Sequence, residues 1–498
     1  MFSKLPDDVV AYIVRVACLQ MVPHTQTYQQ AIVMAHVSRR MFGIVTSKKC
    51  AWLWKRVACT EHMVRQQLGF GTIASFVADH VERETVTSVY ATSILTDSEW
   101  HAVATLCSKH ASTMEQMTLG MYRIALSSAH WTRAFESLSR LTHLALTFPP
   151  LEYMTDRRPP LLPMIPSLTI LDVHVRSGPA RATLAAALWT PQPSLVSITL
   201  STNSRERSSK HHIDVMNLAS RHPRLTSLVV VMGSEDLLQT TEILPALTHA
   251  DISFAKQPPF ESYAFLDAFP QLTSLTLTHL FHRHASTIIP ITHLPASLRT
   301  LHMHHVYVGD HASSVRHCTA LRELVLIDPQ DLGSLDGLET MSALRTLRIE
   351  NADMLRTLHG IGSCASLQSL VIKVPRLMDC GDLHRLRQVK CLRLFSGANN
   401  QRHLDNVPLD NPSFTQSLET IEINSWDCAA LHGTVTSFPV LSHIVVTGRC
   451  RVGAGWLLEQ VAASNAPLTK IRWPYDPGLR FSVMFPRATA LLLRFGSV

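Results

Sequence analysis

Several absences set the first limits. The 10 cysteines of this 498-residue chain stand singly, with no C-x-x-C pair and no cluster at either end. That spacing excludes paired-cysteine zinc motifs and a disulfide framework, and it points to a reducing compartment. No stretch approaches the ~18 to 20 apolar residues that a membrane-crossing helix needs. The apolar run from Val9 to Val22 follows Asp7 and Asp8 and is broken by Arg15, which is the wrong charge order for a secretory leader. No N-x-S/T acceptor occurs. The expectation is an intracellular protein, cytoplasmic or nuclear, with no membrane partner. No Walker loop, G-x-S-x-G elbow or H-E-x-x-H appears. Gly69-Phe70-Gly71 and Gly453-Ala454-Gly455 are too short to cradle a phosphate and read as turns. The chain is therefore expected to be no enzyme and to need no cofactor. Charge is thin as well: charged residues make up 17%, and a net +7 over the whole length is sparse for a nucleic-acid partner. The 27 histidines add nothing at pH 7, where their ordinary pKa leaves them neutral.

What the chain has in abundance is a leucine pattern. L-x-x-L-x-L reads Leu141/Leu144/Leu146, Leu168/Leu171/Val173, Leu195/Ile198/Leu200 and Leu225/Leu228/Val230. It continues through Leu321/Leu324/Leu326, Leu344/Leu347/Ile349 and Leu367/Leu370/Ile372 to Leu468/Ile471/Trp473. Weaker copies stand at Met114/Met117/Leu119 and Ala488/Leu491/Leu493, and the triplet Val86/Val89/Ala91 puts the beginning of the array near residue 80. The last two apolar positions of each copy are two apart, the period of a strand, so both point to one face. One short strand cannot bury that face. Stacking neighbours in a parallel sheet joins the inward leucines into one core. The steps are uneven, about 20 to 30 residues, so the variation must fall in the connecting segments. Those connections repeat too: Leu332, Leu335, Gly337 and Leu338 recur as Leu355, Leu358, Gly360 and Ile361.

Over residues 114–495 the chain resembles leucine-rich-repeat proteins. The resemblance implies an α/β fold, a leucine-rich-repeat solenoid with a curved parallel sheet and irregular repeats. One departure is clear. The Asn or Cys that the family places three residues after the third apolar position is matched only by Asn203; Pro149, Gly233, Ala255, Pro329, Pro375 and Gly397 stand at equivalent positions. The expectation is turns whose backbone angles are set by Pro and Gly directly.

The first 58 residues follow a helical pattern instead. Pro6-Asp7-Asp8 suits a helix start, and Val9, Val10, Ile13, Val14 and Ala17 then form one apolar stripe. A second helix is expected from Gln30 to Val45, and Trp52, Leu53, Trp54 and Val57 form a third apolar cluster. Leu5-Pro6, then Val37-Ser38-Arg39-Arg40, then Leu53-Trp54 make this segment resemble an F-box. The resulting division is an F-box-like helical domain (1–58), a helical linker with an atypical capping repeat (59–113) and the solenoid (114–498). In the linker, Thr96-Asp97-Ser98-Glu99 has the form of a capping box opening a helix. The resemblance implies docking to a Skp-type adaptor and cullin complex through Leu5, Pro6, Val9, Ile13, Val37, Arg40, Ile44 and Trp54. The chain would then be the substrate-recognition subunit of a ubiquitin ligase. The alternative is a non-enzymatic scaffold whose N-terminal helices only cap the open end of the array.

Residues alternating with the inward leucines face solvent on the concave side of the sheet. A protein partner is expected there, on Val229, Val231, His302, His304, Val325, Ile327, Arg348, Lys373 and Arg393. Arg348, Lys373 and Arg393 form a basic line in successive repeats, suited to an acidic patch of a partner. His302 and His304, with Glu323 one repeat later, have a spacing able to hold a metal. In a chain so rich in histidine such a pair arises by chance, and no metal site is expected.

Overall fold

The computed structural model describes residues 6–8, 10–11, 39–47, 50–59, 70–81, 85–94, 96–121, 135–148, 162–175, 190–202, 212–214, 221–232, 237–239, 243–254, 264–279, 294–306, 308, 315–329, 331–396, 407–423, 437–447, 451–464, 466–473 and 479–495. The chain forms two compact units, Met1–Leu247 and Thr248–Val498.

In the first unit the strands β1 (Arg56–Cys59), β2 (Ser88–Ile94), β3 (Gln116–Met121), β4 (His143–Phe148), β5 (Ile170–Val175) and β6 (Ser197–Thr202) pair in parallel, each with the next. Two short strands, β7 (His212–Asp214) and β9 (Leu237–Gln239), pair with each other apart from this ladder, and β8 (Ser227–Met232) takes the next place beside β6. The second unit continues in the same manner through β10 (His249–Phe254), β11 (Ser274–His279), β12 (Thr300–His304), β13 (Glu323–Ile327) and β14 (Thr346–Glu350). It ends with β15 (Ser369–Val374), β16 (Cys391–Ser396), β17 (Thr420–Ile423), β18 (His443–Val446) and β19 (Lys470–Arg472). Register follows the leucines: Leu301, Leu324, Leu347, Leu370, Leu392 and Ile421 stand side by side, all fully buried. Each unit is a stretch of leucine-rich-repeat solenoid.

The ladder begins at β1, ahead of the residue 80 expected from the triplets. Val57 on it is fully buried, and the carbonyl of Lys55 accepts from the backbone N–H groups of Thr87 and Ser88. A strand with a single strong apolar position carries too little pattern to be read from sequence.

The strand entrances follow one rule. The residue after the first leucine offers its carbonyl to two N–H groups of the next repeat, as Glu115 O does to Thr142 and His143. Where that next residue is Ser or Thr, its hydroxyl donates to the same carbonyl: Thr142 to Glu115 at 3.0 Å, Thr169 to Thr142 at 3.0 Å, Thr273 to Thr248 at 3.0 Å and Ser442 to Glu419 at 3.1 Å. Each hydroxyl thus adds a side-chain donor to a carbonyl that already accepts from two backbone N–H groups, fastening one repeat to the next.

The strand exits differ from expectation. After β12, β13 and β14 the left-handed residues are His305, Asp328 and Asn351, with φ of 59°, 49° and 58°. Their N–H groups donate to Ile327, Glu350 and Lys373 O. Asn and Asp tolerate this conformation better than other side chains, and His follows them. The turn is thus set one residue earlier than Pro329, which only follows it, whereas Pro375 does stand in the turn after β15.

The repeated connections behave as their spacing implies. Leu332, Leu335, Leu338, Leu355, Leu358 and Ile361 are fully buried. Gly337 and Gly360 open matching 3-10 turns with φ of 106° and 91°. At Gly360 an added Cβ would lie 2.8 Å from Leu335 O.

The first unit opens on helical segments. Val10 N–H donates to Pro6 O, and helices run over Arg39–Thr46, Phe70–His80 and Asp97–Lys109. The last has the expected capping box, Thr96 accepting from Glu99 N–H and Glu99 reaching back to Thr96 N–H. Phe70 and Gly71 lie inside the second of these helices, correcting the turn read there. In the second unit Gly453 and Gly455 lie inside the helix Arg451–Ala463, again where a turn was expected. Phe485 is the reason: its ring stands 2.6 Å from where a Gly455 Cβ would be, so the helix needs glycine for this close approach. The weak terminal copy Ala488/Leu491/Leu493 is no strand. Pro486 starts a helix, Pro486–Phe495, in which Ala488 is buried and Leu493 is exposed. That helix packs on Arg451–Ala463, whose Glu459 accepts from Ala488 N–H at 2.9 Å.

Candidate interaction surface

Strand pleating sorts the outward side chains into rows that run across the strands. In the first unit one row is Ala145, Asp172, Thr199 and Val229, and the next is Thr147, His174, Ser201 and Val231. Val229 and Val231 stand together on β8, both half-buried. His143 Nε2 lies 2.9 Å from Asp172 Oδ2 on this face.

In the second unit one row reads Asp251, Thr276, His302, Val325, Arg348, Val371, Arg393 and Glu422. The parallel row reads Ser253, Thr278, His304, Ile327, Glu350, Lys373 and Phe395. The basic line expected of Arg348, Lys373 and Arg393 is therefore split. Arg348 and Arg393 share a row with Val371 between them, and Lys373 belongs to the other. Nor are these cations unopposed. Glu350 Oε1 lies 2.8 Å from Arg348 Nη2 and 3.0 Å from Lys373 Nζ, and Arg393 Nε lies 3.3 Å from Glu422 Oε2. Lys373 also sits 5.5 Å above the Phe395 ring, within cation–π reach.

Glu350 is the hub of this arrangement, and the sequence reading missed it. The signal was present, because Arg348 and Glu350 are two apart on a strand and must share a face. Burial works to raise the Glu350 pKa, but the hydrogen bonds from Lys373 and Arg348 outweigh it and hold the carboxyl below its ordinary value.

Val325 is buried at 7% exposure, so it is not the open contact expected of it. His302 on one side and Arg348 on the other stand in register with it, and both side chains are longer. Ile327 remains half-buried. His302 Nε2 lies 3.4 Å from Glu323 Oε1, a loose ion-pair contact rather than an aligned hydrogen bond. Burial lowers the His304 pKa, His302 adds to the effect, and Asp251 opposes it. Burial in turn pushes the Asp251 carboxyl up. Among the described residues, no three His, Cys, Asp or Glu side chains are grouped to hold a metal ion.

Of the expected adaptor contacts, Leu5, Val9, Ile13 and Val37 lie outside the described residues. Pro6 is exposed, and Arg40 lies in the helix Arg39–Thr46. Ile44 and Trp54 are buried, a correction to their assignment as docking residues. Trp54 Nε1 donates to Val45 O at 2.7 Å, and its ring lies 5.7 Å from that of Phe76. These two side chains therefore pack inside the described N-terminal helices.

No family model matches the sequence, and neither does any curated protein. Among solved structures, the chain is similar to one in the Toll–Spatzle complex from Drosophila, at 14% identity and TM-score 0.44 over 84% of this chain and 68% of that one. It is also similar to a chain of the LRIM1/APL1C complex, at 16% identity and TM-score 0.40 over 82% and 71% respectively. A third is in the TLR13–ssRNA13 complex, at 15% identity and TM-score 0.38 over 79% and 66%. The chain thus spans about two thirds of the length of these neighbours.

Proposed function

We propose that this leucine-rich-repeat chain is a non-enzymatic recognition subunit that holds a protein partner on the outward face of its strands. The observation that carries this reading is the mosaic over β12 to β16. Ile327, Val371 and Phe395 alternate there with arginines whose charges are already matched by Glu350 and Glu422. Protein interfaces favour such mixtures, with aromatic and arginine anchors beside aliphatic side chains. Pre-paired charges also lower the cost of removing water when a partner arrives.

The finer part of the proposal is that the N-terminal segment docks a Skp-type adaptor and so joins the captured partner to a cullin-type ubiquitin ligase. It rests on the resemblance of Leu5-Pro6 and Val37-Ser38-Arg39-Arg40 to an F-box and on the exposure of Pro6. Docking would fall to Leu5, Pro6, Val9, Ile13, Val37 and Arg40. Cys107, Cys318, Cys364 and Cys391 are free thiols, in keeping with the reducing compartment where such ligases work. A second reading is favoured by the burial of Ile44 and Trp54: the helices serve only as a cap.

The test is co-purification with a co-expressed Skp-type adaptor. The full chain is expected to retain it, and a Leu5→Ala/Val9→Ala/Ile13→Ala variant to lose it while keeping a native melting profile. A well-folded full chain that fails to retain the adaptor leaves the cap reading standing.

A further inference from the structure

Arg299, Arg322 and Arg345 occupy one position in three consecutive repeats, the residue directly after the first leucine and directly before β12, β13 and β14. The backbone fixes them in line. Arg322 N–H donates to Arg299 O and Arg345 N–H to Arg322 O, each at 2.8 Å. Their Cα atoms are therefore set at the strand spacing of ~4.8 Å. All three are exposed, and none has an ion-pair partner among the described residues. Arg348, Lys373 and Arg393 on the strand face all do. The row runs on through Gln368 and closes at Lys390, which Glu419 neutralises at 2.9 Å. In other repeats this position carries a threonine whose hydroxyl bonds to the edge itself, as at Thr142, Thr169, Thr226 and Thr273, and in two it carries an acid, Glu115 or Glu419. Here three repeats in succession give up that bond and hold like charges side by side, an arrangement that opposes itself without an anion.

We propose that this arginine row is a second binding site, for an extended acidic segment of a protein partner laid across the strand entrances. Alternate side chains of an extended peptide are ~6.6 Å apart, within the reach of arginine side chains splayed from a ~4.8 Å backbone ladder. A carboxylate accepts two parallel hydrogen bonds from each guanidinium. Three cations in a line are few for a nucleic acid, which draws its affinity from many phosphates. The row's neighbours, Thr273 and Gln368, supply no aromatic platform for bases. The site is separate from the strand face and does not depend on adaptor docking.

The probe is a fluorescein-labelled nonapeptide alternating Glu and Ser, bound to the full chain and read by anisotropy. Binding should weaken as ionic strength rises. Arg322→Gln should weaken it about tenfold, and the triple Gln variant should abolish it. The triple Lys variant keeps the charge and should retain most of the affinity. Arg140→Gln, which removes one charge from the other unit, should leave it unchanged. Matching circular dichroism melts exclude misfolding as the cause of a loss. The proposal is overturned if the peptide does not bind or if the triple Gln variant binds as the native chain does. It is equally overturned if a single-stranded oligonucleotide of equal charge displaces the peptide more strongly than unlabelled peptide does.

Discussion

Gly360→Ala should cost this protein more than most single methyl groups could, and the structure says why. The φ of +91° at this position is one that L side chains rarely adopt; holding alanine there costs ~1 to 2 kcal/mol. The new Cβ would also stand 2.8 Å from Leu335 O and 3.0 Å from Leu335 C. Both are backbone atoms of the neighbouring connection, so no side chain can swing away. Overpacking of that kind adds ~1 to 3 kcal/mol, for a total of ~2 to 5 kcal/mol. Gly43→Ala is the contrast. It lies in the helix Arg39–Thr46 with nothing within 4 Å of its Cβ, and it should gain ~0.5 to 1 kcal/mol. Stability in repeat arrays is close to a sum of local and nearest-neighbour contributions. Urea unfolding should therefore be joined to amide hydrogen exchange read by mass spectrometry, with lost protection centred on residues 331–386. A Gly360→Ala protein within ~0.5 kcal/mol of the native one would refute the reasoning. So would protection lost as heavily at residues 437–447 as at Leu335 and Leu358.

Other outcomes follow from single groups. His110 is fully buried, and burial, aided by Lys109, lowers its pKa from 6.5 to about 4. The unfolded chain therefore binds a proton that the folded chain refuses between those values, and stability falls as pH drops from 6.5 toward 4, by roughly 3 kcal/mol. Exchange at the Thr85 and Val86 amides, which donate to His110 Nδ1, should accelerate over that range, and His110→Gln should flatten the profile. Glu350→Gln should cost ~1 kcal/mol at pH 7, given the half-exposed cations it holds. The lowered pKa of Glu350 makes its contribution fully present above 4.5 and lost as pH falls through the lower folded value, so the two proteins should converge in acid denaturation curves at the acid end. Burial pushes the Cys107, Cys318 and Cys364 thiols up to about 12, so in native protein these three should resist iodoacetamide and react only after unfolding, as peptide mapping would show.

The solenoid was legible because one physical need, burying a strand face, is written repeatedly as L-x-x-L-x-L. Leu144, Leu171, Ile198, Leu324 and Leu347 are all inward and fully buried, as the spacing demands. The connection holding Gly337 and Gly360 was legible for the same reason. What escaped was set by single residues acting across repeats. The left-handed turns at His305, Asp328 and Asn351 carry three different side chains, so no motif announces them. The glycine at 455, inside a helix, answers to the Phe485 ring some thirty residues on, and no local rule contains that contact. On the outward face, alternation named the right positions but could not tell open from covered. Val325 and Val371 read alike in sequence, yet only Val325 is closed over. Charge pairing between strands was missed because Glu350 meets Lys373 only through register.

The helical end of the second unit has a consequence for how the molecule behaves in a crowd. A parallel ladder has an edge wherever it stops, and an edge offers free N–H and C=O groups in the spacing that another strand requires. In this protein every repeat presents nearly the same spacing, so any bare strand would be a template for any other copy's terminal repeat. The helices Leu479–Met484 and Pro486–Phe495 come after β19 in the chain, with the Phe481 ring tilted against that of Trp473, 5.3 Å away at that strand's end. They lie against the last described strand of the ladder, so β19 is not left as a bare template at that end.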